Sequence, residues 1–365
     1  MTVQTAPVEL AWLACDLRSG RIAEELRSLS GSGPIERKLS VSSSAQFDLN
    51  LAKAPADWEA ATDPGRTLLV AVDTLTSQPI WSGFILTRSG GTGRTIQLGA
   101  ATPEAYLDRR YTGTYTGIDR DQALIMGDLV TAATVVEAPP FEVDAPTNSA
   151  PIVYQLLDGD DRTVLSALQE LTGMDGAPEW TIDTEWADAA QTAIQLVLRV
   201  RPKIGVQSDS PESVFDMPGC VASYVLTESY EQGKGATQVR AWGEGEGNAR
   251  LRSADQTATD LITAGWCRWE HRFTPSTGLT DPDQLDAHAI QGLAQQRTGT
   301  KTWTLEATAS RAPRLGRDWN LGDSVRLQVA TSLRHPGGAE VVSRAYAWQL
   351  DTADDKVTPF LVEED

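Results

Sequence analysis

Histidine is the side chain most often recruited for proton transfer and metal binding near neutral pH, and this chain has three, His271, His288 and His335. None stands in an HExxH or related ligand spacing. Glu270 and His271 are neighbours on an expected strand, so their side chains point to opposite faces. His288 falls beside the apolar stripe of an expected helix and reads as a half-buried filler. Asp158–Gly159–Asp160–Asp161 resembles the start of a calcium loop, but Arg162 stands where the fifth position needs a ligand and Thr163 where the sixth needs glycine. It reads instead as a turn feeding a helix, with Asp160 or Asp161 complementing the helix dipole. Ser89–Gly90–Gly91–Thr92–Gly93–Arg94–Thr95 lacks the glycine spacing and lysine of a phosphate loop, and a strand follows it, so a hairpin tip is expected. The glutamates of Gly243–Glu244–Gly245–Glu246–Gly247 would repel a phosphate. No GxSxG elbow occurs. Cys15, Cys220 and Cys267 form no CxxC pair and read as buried, reduced thiols, which fits synthesis in a reducing cytoplasm. Some pair of the 50 acidic residues will sit at a glycosidase separation by chance, and the tryptophans suit stacking on sugars, yet no stretch singles out a pair.

Composition narrows the classes further. Lys plus Arg number 31 against 50 Asp plus Glu, a net charge of −19 over 365 residues. So acidic a surface repels nucleic-acid phosphates and anionic lipids. Hydrophobic residues at 41% supply a real core, and no apolar run nears the ~18 residues of a membrane span. Met1–Pro7 has neither a basic nor an apolar signal region, so Sec export is not expected. Eleven tryptophans against six phenylalanines suit broad sheet faces and subunit contacts.

Strands dominate the first third. Val8–Leu17 and Arg21–Leu26 flank the turn Ser19–Gly20, and Ser30–Pro34 reads as a loop. Phe47, Leu49 and Leu51 alternate with polar residues, Thr67–Asp73 is a continuous apolar run, and Pro79–Arg88 leads to Arg94–Ala100. Pro103 opens a short helix over Glu104–Arg109. In the middle, a helix over Asp119–Ala133 is expected with Asp119 as cap and Gln122 completing a capping box; Ile125, Leu129 and Ala132 share its apolar face. Val135–Pro151 reads as a loop or crossover arm. A second helix spans Thr163–Leu171 with Gly173 as its stop, and a hairpin joins Trp180–Trp186 to Ile194–Arg201. In the last third Val221–Tyr230 is expected to pair with Thr237–Gly243, and Ala264–Phe273 to form a strand. A helix over Asp281–Gln296 has Asp281 as cap, Pro282 at its first position and Gln284 as box partner. Strands follow at Thr302–Ser310, Ser324–Ala330 and Val341–Leu350. Val357–Val362 is placed at an edge, because Pro359 cannot donate to a ladder.

Four stretches carry a resemblance. Ala54–Pro55–Ala56–Asp57–Trp58 is a small-residue loop ending in tryptophan. Pro64–Gly65–Arg66 opens a strand, Pro79–Ile80–Trp81–Ser82–Gly83–Phe84–Ile85 has the pattern P-x-W-x-G-x-I, and Thr102–Arg110 holds a short helix. In this order they resemble the N-terminal barrel of siphophage tail hub proteins, the minor tail proteins of actinobacteriophages related to contractile-tail baseplate hubs. The helix at 281–296, the strand at 302–310 and Trp319–Asn320–Leu321–Gly322–Asp323 resemble the family's second barrel. The resemblance implies a mainly β fold: two tube-like barrels, at 1–112 and at 216–365 with one helix near 281–298, flank a mixed α/β region at 113–215. It further implies a virion structural protein with no enzymatic activity, cofactor or metal. Three copies would form a pseudo-sixfold ring joining the tail tube to tail-tip or fibre proteins, beside the distal tail and tape measure proteins. Genomic DNA would pass through without specific binding during ejection. Trp58, Trp81 and Trp319 become candidate core or inter-domain anchors. Two alternatives stand beside it: another tail-tip, distal-tail or receptor-binding component, and a glycan hydrolase or carbohydrate-binding module.

Overall fold

The computed structural model describes residues 6–363 apart from 150, 175 and 276–278, so the first five residues of the Met1–Pro7 stretch lie outside the described residues. The chain starts as a run of strands, β1 (Leu10–Asp16), β2 (Ile22–Glu25), β3 (Leu29–Gly31), β4 (Ile35–Lys38) and β5 (Ser44–Asn50). After the one-turn helix α1 (Trp58–Ala61) come β6 (Thr67–Asp73), β7 (Gln78–Ser89), β8 (Thr95–Ala101) and α2 (Glu104–Leu107). Seven of these strands form one antiparallel sheet in the order β2-β1-β6-β7-β8-β5-β3. Its edge strands are consecutive in the chain, with β2 ending at Glu25 and β3 starting at Leu29. A flat seven-strand sheet would hold its edges about 29 Å apart at ~4.8 Å per step. Four residues reach only about 14 Å. The sheet therefore curls into a half-barrel.

The middle contributes β9 (Tyr115–Asp121), α3 (Gln122–Thr134), β10 (Phe141–Asp144), β11 (Pro151–Leu156), α4 (Val164–Thr172), β12 (Glu179–Trp186) and β13 (Ile194–Arg201). β12 and β13 form the expected hairpin, β10 joins β13 in parallel, and β9 pairs with β11. The cap of α3 is Asp121, not Asp119. Its Oδ1 accepts from Ala123 N at 2.8 Å, while Asp119 lies in β9 at a left-handed φ of 51°. Gln122 is the first helical residue and closes no box. Ala133 is buried where Ala132 was expected, and Ala132 is exposed, because the buried face is centred on Met126 and Ala133 rather than on Ile125. The expected arm at Val135–Pro151 carries β10.

The last third comprises β14 (Val214–Met217), β15 (Val221–Ser229), β16 (Gln238–Ala241), β17 (Gln256–Thr257), α5 (Thr259–Thr263), β18 (Glu270–Phe273), α6 (Pro282–Gln296), β19 (Thr300–Thr308), β20 (Ser324–Val329), β21 (Ala339–Asp351) and β22 (Lys356–Val362). A second large sheet runs β14-β20-β21-β22-β19-β15, and β4 from the first third pairs with β21. Here too the path ends on chain neighbours, Met217 and Val221, so the same reach argument curls it. Four expectations fail here. β15 pairs with β19, while β16 pairs with β17 and β18. β18 covers only the end of Ala264–Phe273. β22 is central, between β19 and β21; its ladder to β19 skips Pro359, so the missing N–H falls in a gap in the pairing rather than on an open edge. Gln284 forms no capping box either: its Nε2 donates to Val153 O at 2.6 Å, while Asp281 does cap α6 through Asp283 N.

The two curled sheets share one core, with Trp12, Phe47, Leu69 and Ile85 from the first and Leu305, Val325, Trp348 and Leu361 from the second. The other face of the first sheet, with Leu68, Val70 and Phe84, packs on α3, α4 and β13. Strand β6 is therefore buried at every position, which explains its unbroken apolar run.

Candidate functional site

Trp81 and Trp319 lie in the core shared by the two large sheets, and Trp58 packs on its rim. Trp81 is 1% exposed, sits edge-on to Trp12 at 6.3 Å and tilts on Phe47 at 5.6 Å. Its indole N–H donates to Glu36 O on β4 at 3.1 Å, so one ring binds both its own sheet and the strand lent to the other. Trp319 packs edge-on against Phe215 at 5.6 Å and donates to Pro313 O at 2.9 Å. Trp58 is half-buried at the start of α1, with the Arg88 guanidinium over its ring at 5.7 Å. Trp12, Trp303 and Trp348 belong to the same core.

Ion pairs, the Arg314–Asp73 pair deeply buried among them, tie the regions together and brace the middle. Arg314, after β19, forks onto Asp73 of β6 with both contacts at 2.6 Å, and both side chains are almost fully buried. Burial alone would raise the Asp73 carboxyl, but hydrogen bonds from Arg314 and Leu75 N outweigh it and hold it below the usual carboxylate range. Arg344 of β21 pairs with Glu179 of β12 and donates to the Ile204 and Gly322 carbonyls. Arg37 of β4 donates to Thr181 Oγ1, Ile182 O and Asp183 of β12. Arg199 joins Asp144, Asp183 and Glu185.

Arg37, Asp183, Glu185 and Arg199 line a cleft of about 510 Å³ where the three regions meet, together with Ile80, Leu321 and Trp348. Of its carboxylates, Asp183 and Glu185 are held by the Arg37 and Arg199 guanidinium groups, and Asp323 accepts from the Val206 and Asn320 backbone amides. Nearby Glu104 is 2% exposed with Oε2 unpartnered. Burial raises its pKa, and Arg37 pulls it back only in part.

The structure scatters the residues singled out for chemistry. His335 Nδ1 meets Tyr224 Oη at 2.6 Å beside Trp303, and His271 stacks on Phe273. His288 is fully buried rather than half-buried, its Nδ1 2.9 Å from Gly173 O and its Nε2 unpartnered. Burial pushes the Cys15 and Cys220 thiols up to about 12 and about 11, but Cys267 is exposed, contrary to expectation. Thr163 caps α4, and the Asp158–Asp160 turn leads into it in the open, as the sequence reading expects. Among the described residues no three His, Cys, Asp or Glu side chains cluster as metal ligands. Strand alternation in the sequence missed one feature, the exposed Trp266 and Trp269 packed on half-buried Tyr230; its signal is the Trp-Cys-Arg-Trp run.

The architecture defines a class: end to end, the chain has the fold of phage tail proteins. It matches the tail protein from Neisseria meningitidis MC58 at 14% identity and TM-score 0.59, covering 99% of this chain and 97% of that one. It matches the 43 kDa tail protein of prophage MuSo2 from Shewanella oneidensis at 13% and 0.58, covering 97% and 98%. Prophage tail protein gp18 from Listeria monocytogenes EGD-e follows at 11% and 0.54, covering 97% and 95%. The same fold recurs in the Francisella PdpA-VgrG complex, at 10% and 0.58, where all of this chain covers 54% of the matched chain. No protein-family model matches the sequence, and no curated protein matches it.

Proposed function

We propose that the chain is a structural tail hub of a siphophage virion. Three copies, each with two curled sheets, close a pseudo-sixfold ring that joins the sixfold tail tube to threefold tip or fibre proteins. The ring sits at the tail tip beside the distal tail and tape measure proteins, after synthesis in the host cytoplasm, and genomic DNA passes through it during ejection. The observation that carries this reading is the end-to-end likeness to phage tail proteins, combined with two large sheets that each curl back on chain-neighbour edges. Curled sheets with open seams bury their remaining edges when copies meet side by side. The net charge of −19 fits a conduit that must not hold DNA. The cleft fits a non-enzymatic role, since Asp183 and Glu185 are occupied by Arg37 and Arg199 and Asp323 by backbone amides. Mass measurement of the purified protein tests the reading. It predicts multiples of three; a chain that stays single at high concentration, or cleaves cell-wall glycan through one carboxylate, would overturn it.

A further inference from the structure

Nine successive residues, 262–270, are exposed, and they hold two tryptophans, Trp266 at 43% and Trp269 at 54% exposure. Both rings pack on Tyr230, at 5.3 and 6.2 Å between centroids. The cluster is rigid. A Cβ on Gly235 would lie 2.3 Å from the Tyr230 ring, and one on Gly299, at φ +78°, 3.0 Å from it, so these two glycines grip the ring. Thr237 Oγ1 donates to Cys267 O and accepts from Trp269 N, which fixes the segment's backbone. Between the tryptophans in sequence stands Arg268, which has no ion pair or hydrogen bond among the described residues, whereas Lys234, Arg240, Arg272 and Arg297 each have a carboxylate. Exposed Trp and Arg held against a Tyr are among the residue types that dominate interface energetics.

A matching face lies elsewhere on the same chain. Ile118 of β9 and Val153 of β11 are 74% and 53% exposed, and Leu157 just beyond is 51% exposed. The exposed turn Asp158–Asp160 adjoins them, and its carboxylates take no cation among the described residues. The two faces sit by opposite ends of α6. Gln284 in its first turn touches Val153, and Arg297 at its end accepts from Tyr230 through its carbonyl. Fifteen helical residues separate them by about 20 Å. One apolar face with a free cation and another with free carboxylates, at two ends of one helix, are what a head-to-tail contact between copies needs; such a contact closes a ring when the rotation between copies is a third of a turn.

We propose that the Trp266–Trp269 face of one copy docks on the Ile118–Val153–Leu157 face of the next, with Arg268 meeting the Asp158–Asp160 turn. The proposal rests on the ring-forming reading above and names the surfaces that would make it. Sedimentation equilibrium across a concentration series tests it on the full chain, using Trp266→Ala with Trp269→Ala, Arg268→Glu, Asp158→Arg with Asp160→Arg, and the combination of the last two. All these positions are exposed, and unchanged far-UV circular dichroism confirms folding. The expected result is a wild-type trimer, a dissociation constant raised about thirtyfold or more in the first three variants, and recovery of the trimer in the charge-swapped combination. A wild-type trimer indifferent to Trp266, Trp269 and Arg268 would overturn the docking and leave the ring reading intact. Loss at Arg268 without loss at the aspartates, or without recovery in the combination, would overturn the pairing. A wild-type monomer throughout would overturn both readings.

Discussion

Replacing Asp73 with asparagine tests how the first curled sheet is held to the last third of the chain. In the native protein Arg314 is enclosed, at 6% side-chain exposure against 1% for Asp73, and the carboxylate meets both arms of its fork. The asparagine amide would keep the shape and remove the charge. The remaining partners of the guanidinium, Ala6 O at 3.2 Å and Pro7 O at 3.4 Å, are neutral and long, so they offset little. Removing one member of a buried pair costs about 3–5 kcal/mol. The surviving amide oxygen puts Asp73→Asn near 3 kcal/mol, a large share of the ~5–15 kcal/mol that holds a typical domain. Urea unfolding should show the midpoint fall at unchanged slope. Replacing both partners, Asp73→Leu with Arg314→Met, should recover most of the loss, because no unpaired charge stays buried. The pH profile carries a second signature. The Asp73 carboxyl is held below its usual range, so its contribution is complete above a pH of about 4 and is lost as pH falls through the folded value. The Asp73→Asn variant should lack that component. A single variant costing under about 1 kcal/mol, or a double variant as unstable as the single, would refute the argument.

Other perturbations separate core from surface. Trp81→Ala should cost about 3–5 kcal/mol in urea unfolding, whereas the same change at half-buried Trp58 should cost less than half as much; equal losses would contradict the placement of Trp58 on the rim. Asp121 accepts from Ala123, Asn148 and Ser149 backbone amides, so Asp121→Ala should destabilise by about 1–2 kcal/mol, read from the same transition, and a neutral result would argue against that cap. Burial holds His288 below its ordinary pKa, despite the Gly173 carbonyl and Glu170. Its neutral form therefore favours the folded state, and stability should fall as pH drops below about 6.5. His288→Leu should remove that slope from thermal melts between pH 7 and 5; an unchanged slope would assign it to other groups.

Local signals made many elements legible before any fold was known. The hairpin at Ser19–Gly20, the strand at Thr67–Asp73, the helix stop at Gly173 and the cap at Asp281 each rest on chemistry confined to a few residues. What failed depended on partners far away in the chain. Asp121 and Asp119 are equally good caps in sequence, and only the pairing of β9 with β11 selects Asp121. Pro359 reads as an edge residue until a gap in the β19 ladder receives it. Nothing local predicts that β4 leaves its own sheet for β21. The same holds for the functional surfaces. Tryptophan composition signals contacts, but burial of Trp81 and exposure of Trp266 and Trp269 are set by which sheets close over them. The clamps Asp73–Arg314 and Glu179–Arg344 join residues more than 160 positions apart, beyond the reach of any motif.

The ring itself is tested most directly by electron cryomicroscopy of particles carrying this chain. Three copies around the tail axis, with carboxylates lining an open central passage, are the predicted result. Density for this chain as an isolated copy off the axis, enclosing no passage, would contradict it.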